Sequence, residues 1–370
     1  MAVHFEHLDI RCFRGLKEVE VSRLRDVNII AGDNNSGKTS FMEALCLFRK
    51  PNDFYNVLKV ARMRDASPFS SPAVYENFIN LFPKNEMYIG MHAVGNMGES
   101  HLEIHGEEQK ELLNIEMLSP YARNKYSNHN KPDFAQETLM FHGEMHGWDK
   151  SGSFNDNIHL HPFVKAYEMS FRNKRLPDSI NIVYLSPLAH MQGNTFNKIV
   201  KNPDYKYICL KLLQLFDSNI TDLLYLKNEN TSRAIEYLEH KELGVMPLST
   251  YGDGIKKVLS LANGIASAAG GILLIDEIET SINYKYYSEI FSFIILASQQ
   301  FDVQVFITTH NSEAIDGLLG TRVYDENNDY DPISVITFRK DPETSIVHTR
   351  SLSGKEVYED RKRFGFEVRL

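Results

Sequence analysis

The stretch "VNIIAGDNNSGKTSFMEALCLF", residues 27–48, decides how this chain folds. Gly32, four residues, then Gly37, Lys38 and Thr39 complete the pattern G-x-x-x-x-G-K-[ST]. The glycines let the backbone turn tightly enough for successive N–H groups to face inward and hold phosphate oxygens. Lys38 is expected against the β- and γ-phosphates, and the Thr39 hydroxyl on Mg²⁺. An apolar strand, Val27 to Ala31, enters the loop, and a helix, Ser40 to Phe48, leaves it. That helix start adds its own partial positive charge. The segment reads as a nucleotide-binding loop, with Gly32, Asn34, Asn35, Ser36, Gly37, Lys38, Thr39 and Ser40 against ATP.

Around this loop the chain has 370 residues, enough for two ordinary domains or one α/β domain with an insertion. Lys+Arg 40 against Asp+Glu 49 gives −9, so no general basic field points to nucleic acid, although a local basic groove would not register in that sum. Cys12, Cys46 and Cys209 have neither pairing nor metal spacing, which fits a reducing compartment. The start "MAVHFEHLDIRCF" reads as a strand rather than a leader, and no apolar run approaches membrane-spanning length. A soluble, cytoplasmic protein with no membrane partner is the expectation.

Alternation of apolar and polar residues predicts three short strands in residues 3–32, the last ending at the loop. "EMYIGMHAV", "SHLEIHGE" and "TLMFHGEMHG" predict antiparallel strands, taken as a β-rich insertion over 85–165. "INIVYLSP" (180–187) is an apolar strand returning to the main sheet. "YKYICLKLLQLFDSNITDLLYL" and "SRAIEYLEHKEL" have apolar residues at helical spacing and predict a helical region over 193–245. From 246 onward helix and strand alternate, which argues a parallel, doubly wound sheet, and "ISVITFRK" and "SIVHTRSL" flank "DPET" as a hairpin. The predicted division is 1–84, 85–165, 166–192, 193–245 and 246–370, an α/β ATPase-type domain carrying an insertion.

The chemistry concentrates in the last third. "GILLIDE" is an apolar strand ending in Asp276 and Glu277, and unpaired buried charge is costly, so these carboxylates have a purpose. Beside a phosphate loop the first reaches the Mg²⁺ shell and the second orients and deprotonates a water. "FITTH" ends another apolar strand at His310. Alone it reads as a core or turn histidine; behind "GILLIDE" it is placed near a γ-phosphate. In "LSTYGDGIKKVLSLANGIA", Ser249, Gly252 and Gly254 open a long helix. That is an ordinary helix start, or a second phosphate-facing one.

Taken together, "FRG", "GDNNSGKT", "LSTYGDGIKK", "LLIDEIETSIN" and "ITTH", in this order, resemble the ABC-type ATPases of the SMC/RecF/OLD group. The resemblance covers residues 1–50 and about 180–370. It implies that Ser249 and Gly252 form a signature loop facing the γ-phosphate held by a second protomer. It makes Glu277 the catalytic base, Ser281 part of a dimer-facing D-loop and His310 the switch histidine. It also places Arg14, and less directly Arg11, near the nucleotide, and offers Gln192 as the Q-loop residue on Mg²⁺. The ending "LSGKEVYEDRKRFGFEVR" is similar to small stand-alone ATPases of bacterial anti-phage systems such as the ATPase half of PARIS. A homodimer or higher oligomer with a separately encoded nuclease or toxin effector is then implied.

The departures are informative. No long heptad segment argues for a cohesin-like coiled coil. No Toprim-type acidic constellation follows His310, since "YDENNDYD" (324–331) reads as a solvated turn, so no intrinsic nuclease is expected. His142, His146, His159 and His161 with Glu144 form a loose group, for which ordinary strand histidines are the commoner explanation. "RNKR" (172–175) and "EDRKRFGFEVR" could touch nucleic acid or an acidic partner, although short charge runs are usually solvated. Two rivals stay open: a RecF-like ATPase on duplex DNA, with steep salt dependence, and a scaffold that binds ATP with little turnover.

Overall fold

The computed structural model describes residues 3–64, 74–96, 98–113, 136–162, 179–191, 196–227, 234–321 and 331–364. The chain divides into two units. The first comprises residues 1–6, 21–42 and 181–370, the second 7–20 and 43–180.

The first unit is organised by a six-stranded sheet: β3 (Val27–Gly32), β8 (Ile182–Leu185), β12 (Ile272–Ile275), β13 (Gln304–Thr309), β14 (Ile333–Lys340) and β15 (Val347–Ser353). Its order is β15-β14-β3-β13-β12-β8. All neighbours are parallel except β15, which closes a hairpin with β14 at one edge. Strands β3, β12 and β13 are buried at every position, as expected of a sheet covered on both faces. The register sets Ala31 level with Thr309, and Ile275 level with both Ile307 and Leu185. The polar residues that follow β3, β12 and β13 therefore emerge at one edge of the sheet. Around it pack α4 (Pro203–Leu213), α5 (Asp253–Ser267), α6 (Tyr287–Gln300), α7 (Ser312–Gly320) and α8 (Gly354–Phe364), after α1 (Lys38–Leu47), in which the chain passes to the second unit.

The same unit holds a small antiparallel sheet of β9 (Ile220–Lys227), β10 (Ala234–His240) and β11 (Gly244–Pro247). This corrects the helical reading of 193–245, of which α4 is the main helical part. The inward positions of β10 are Glu236, Leu238 and His240, so polar residues on the buried face hide the period of two. Each has a partner: Glu236 accepts from the Phe196 N–H at 3.0 Å, and His240 Nε2 meets Asp217 at 3.1 Å.

The second unit is built on another six-stranded sheet, antiparallel throughout its described pairs: β1 (His7–Phe13), β2 (Leu16–Val21), β4 (Tyr88–Gly95), β5 (Gly98–Leu113), β6 (Gln136–Asp149) and β7 (Gly152–Leu160), in the order β2-β1-β4-β5-β6-β7. The supposed insertion is therefore not separate from the N-terminal hairpin, because β4 pairs directly with β1. Its apolar face buries Ile89, Met91, Leu102, Ile104, Phe141 and Met145. Phe54 of α2 (Phe54–Ala61), Phe78 of α3 (Val74–Ile79) and Phe82 join that core. Phe78 packs edge-on to Phe54, Phe82 and Phe141 at 5.4, 5.2 and 5.0 Å. Among the described residues no helix is long and apolar enough to cross a membrane.

Candidate functional site

The phosphate loop leaves β3 at Gly32, where a Cβ would lie 2.4 Å from the Phe338 carbonyl oxygen and 2.8 Å from Ser36 Oγ. Only glycine fits there. Asn35 (φ 63) and Gly37 (φ 102) take left-handed backbone, which turns the loop back into α1. Asn34 and Asn35 are exposed, whereas Ser36 is buried and its Oγ has no hydrogen-bond partner. Lys38 is buried, and its ammonium donates to the carbonyls of Gly32 and Asp33, both at 2.7 Å. Burial pushes this ammonium below its ordinary pKa, and Asp276, Glu279, Glu277 and Asp33 oppose that shift. A cradle too tight for a side chain, an orphaned hydroxyl and a caged cation fit a polyphosphate. Thr39 and Ser40, half-buried, follow in the first turn of α1.

Asp276 leaves β12 buried and held on both oxygens. Thr308 Oγ1 on β13 donates to Oδ1, and Tyr184 Oη on β8 donates to Oδ2 at 2.9 Å. A carboxylate has about four acceptor sites, so a metal position remains. With the Thr39 hydroxyl it offers the hard oxygen donors that Mg²⁺ prefers. Glu277 comes next in a left-handed conformation (φ 48), its N–H donating to Thr308 Oγ1 at 2.8 Å. Such a backbone is costly for a glutamate and turns its side chain away from the path of β12. Thr308 thus bridges both carboxylate residues, as donor to one and acceptor from the other.

A third carboxylate was missed in sequence. Glu279 Oε1 accepts from the His310 backbone N–H at 3.0 Å and lies 2.9 Å from its Nδ1. The Glu279 side chain is nearly buried and that of His310 is 44% exposed, so the carboxylate anchors one side of an otherwise accessible ring. With Nδ1–H directed to Glu279, Nε2 is the ring nitrogen on the side away from that carboxylate. The spacing "DEIET" puts this third acid in view, but only the return of β13 supplies its partner.

The second grouping centres on the start of α5. Ser249 and Gly252 are exposed, and no side chain caps this helix. A Cβ at Gly254 would meet Ser281 O at 3.5 Å, so the predicted signature and D-loop touch. Ser281 (φ 65) brings its Oγ to 3.3 Å from Nε2 of the buried His190. One turn into α5, the buried Lys257 ammonium donates to Pro187 O at 3.4 Å. Burial pulls its pKa down to about 8 against the fields of Glu279, Asp276 and Glu277. His190 is shifted down as well, by burial and then by Lys257.

Other expected residues fall elsewhere. Arg14 (φ 51) belongs to the second unit, where its Nε meets Glu43 at 2.8 Å and Arg64 holds the same carboxylate. Arg11 stands beside Asp9 and Glu103 on the antiparallel sheet. Gln192, the "RNKR" run and Asp329 lie outside the described residues. Asp331 spends both oxygens on backbone, accepting from Ile333 N–H at 3.0 Å and Lys355 N–H at 2.7 Å.

A buried parallel sheet whose ends gather a phosphate loop, an Asp–Glu pair and a histidine defines an ABC-type P-loop ATPase of the SMC/RecF kind. The chain belongs to the family described as "AAA domain, putative AbiEii toxin, Type IV TA system", whose model matches residues 102–316. A second model, "AAA ATPase domain", matches residues 5–81. A Helicobacter pylori protein named "ATP/GTP phosphatase" is 22% identical over 331 residues, covering 83% of this chain and 85% of that protein. RecF of Nitrosococcus oceani is 44% identical over 62 residues, 17% of each. Among solved structures, an SMC head bound to the winged-helix domain of ScpA aligns with a TM-score of 0.49 at 12% identity, over 96% of this chain and 99% of that one.

Proposed function

We propose that two copies of this ATPase close on two ATP molecules, each site completed by the other protomer. Lys38 and the loop amides hold the phosphates, and Thr39 and Asp276 are the residues that would hold Mg²⁺, which would supply neutralisation of phosphate charge. Glu277 takes a proton from the attacking water, and His310, with Nδ1–H held by Glu279 and Nε2 protonated as well, donates from Nε2 toward the phosphoryl oxygens. The observation that carries the paired site is the start of α5. Ser249 and Gly252 are exposed with no side-chain cap, while Gly254 rests on Ser281 O, which leaves a helix start free to face an anion on another molecule. A sensor or scaffold role in antiviral defence, beside a separately encoded nuclease or toxin, completes this reading; the family description, which names a toxin of a toxin–antitoxin system, supports the toxin–antitoxin setting alone. The RecF likeness covers 62 residues in one relative and 124 in another, 17% and 32% of this chain, and gives DNA repair less support.

Mixing tests the shared site. A Lys38→Ala chain and a Gly252→Asp chain are each expected to be inactive alone. In a mixed dimer one intact loop meets one intact signature, so about half of the sites per mixed dimer regain turnover. Two inactive chains that co-assemble and stay inactive contradict the model.

A further inference from the structure

On the polar face of the antiparallel sheet, β4 to β7 carry six histidines: His92, His101, His105, His142, His146 and His159. Cross-strand pairing puts them on one side, since His92 faces His101, His105 faces Glu144, Glu103 faces His146 and His142 faces His159. Within this face three groups converge. His105, Glu144 and His146 each offer one ligand atom within 4.8 Å of the others. His146 Nε2 is 3.3 Å and His105 Nε2 is 3.8 Å from the same Glu144 oxygen, and the two rings stack at 5.6 Å. For zinc at about 2.0–2.1 Å from nitrogen or oxygen, the edge of a tetrahedron is about 3.4 Å, so only small side-chain movements bring the three into coordination.

A second observation points the same way. On its other side His146 Nδ1 lies 2.9 Å from Asn155 Oδ1, its cross-strand neighbour on β7. An amide oxygen only accepts, so Nδ1 carries the hydrogen, and in the neutral ring Nε2 then presents a lone pair to Glu144. Two acceptors face each other, and a cation between them relieves the repulsion. A ligating imidazole whose other nitrogen donates to an oxygen is the usual support for a bound metal.

We infer that His105, Glu144 and His146 form a binding site for zinc(II), oriented by Asn155. Two imidazole nitrogens and one carboxylate oxygen suit a borderline ion such as zinc rather than Mg²⁺, and three protein ligands leave a fourth position open to solvent or to a donor from another molecule. The ion would tie β5 to β6 at a directly opposed pair and its diagonal neighbour.

Calorimetric titration of the full chain with ZnCl2, in excess Mg²⁺ to occupy the nucleotide site, tests this. One zinc per chain should bind with an affinity that His105→Ala and His146→Ala each weaken at least tenfold, and that Asn155→Ala weakens about tenfold through loss of ring orientation. His159→Ala should leave it unchanged. Cobalt(II) should occupy the same position, and its visible absorption should vanish in His105→Ala. A parent chain that takes up no zinc overturns the inference without any variant. Equal zinc affinity in the parent and the His105→Ala/His146→Ala double variant overturns it as well.

Discussion

The two six-stranded sheets place chemistry in opposite ways. In the parallel sheet β3, β12 and β13 are buried along their whole length, so polar groups reach solvent only where strands stop. Asp276, Glu277 and His310 all occupy such stops. The antiparallel sheet is apolar on one face, around Phe78 and Phe141, and polar on the other, so its histidines and acids recur at every second residue. Chemistry at strand ends is held by neighbouring strands, as Thr308 and Tyr184 hold Asp276. Chemistry on a sheet face is held across strands, as Asn155 holds His146. Strand-end variants should therefore cost turnover while sparing the fold, and core variants beneath the sheet face should do the reverse.

The largest stability effect is expected at Phe78, fully buried among three rings. Phe78→Ala should destabilise by about 3–5 kcal/mol, read by denaturant unfolding. A loss under 1 kcal/mol would mean that this core collapses around the gap. Next comes Glu279→Ala, which frees the His310 ring. It should lower kcat roughly ten- to a hundredfold with little change in nucleotide affinity, and Glu279→Gln, which keeps an acceptor, should recover part of the rate. An unchanged kcat in Glu279→Ala would break the positioning role.

The smallest effect concerns Lys257. Its pKa is about 8 in the fold against 10.5 as the ordinary value. Between those values the unfolded chain binds more protons, so stability rises with pH there, and the deficit is fully present below pH 8. Lys257→Met removes that dependence. Its melting temperature should exceed that of the parent at pH 7, with the gap narrowing towards pH 10. A gap constant with pH would show that burial of the ammonium carries no such cost.

How much was legible in sequence follows from the same contrast. "GDNNSGKT", "GILLIDE" and "FITTH" could be read because an apolar run that stops at polar residues is a local signal. Their supports could not, since Tyr184, Thr308 and Glu279 act on residues 92, 32 and 31 positions away. Strand β10 was misread because Glu236 and His240 point inward, where apolar residues were expected, and β9 because its buried Ile220 and Leu223 stand at a helical spacing of three. The zinc-type trio joins His105 to residues about 40 positions later through strand register alone. Sequence spacing had instead grouped Glu144 and His146 with His142, His159 and His161.

The central claim is that the strand-end acids of the parallel sheet run ATP hydrolysis, with Glu277 as the base. Glu277→Gln tests it most directly, with ATP turnover and nucleotide binding measured on the same preparation. Turnover should fall on the order of a hundredfold or more while ATP affinity holds and the ATP-bound assembly accumulates. Turnover at the parental rate would contradict the account.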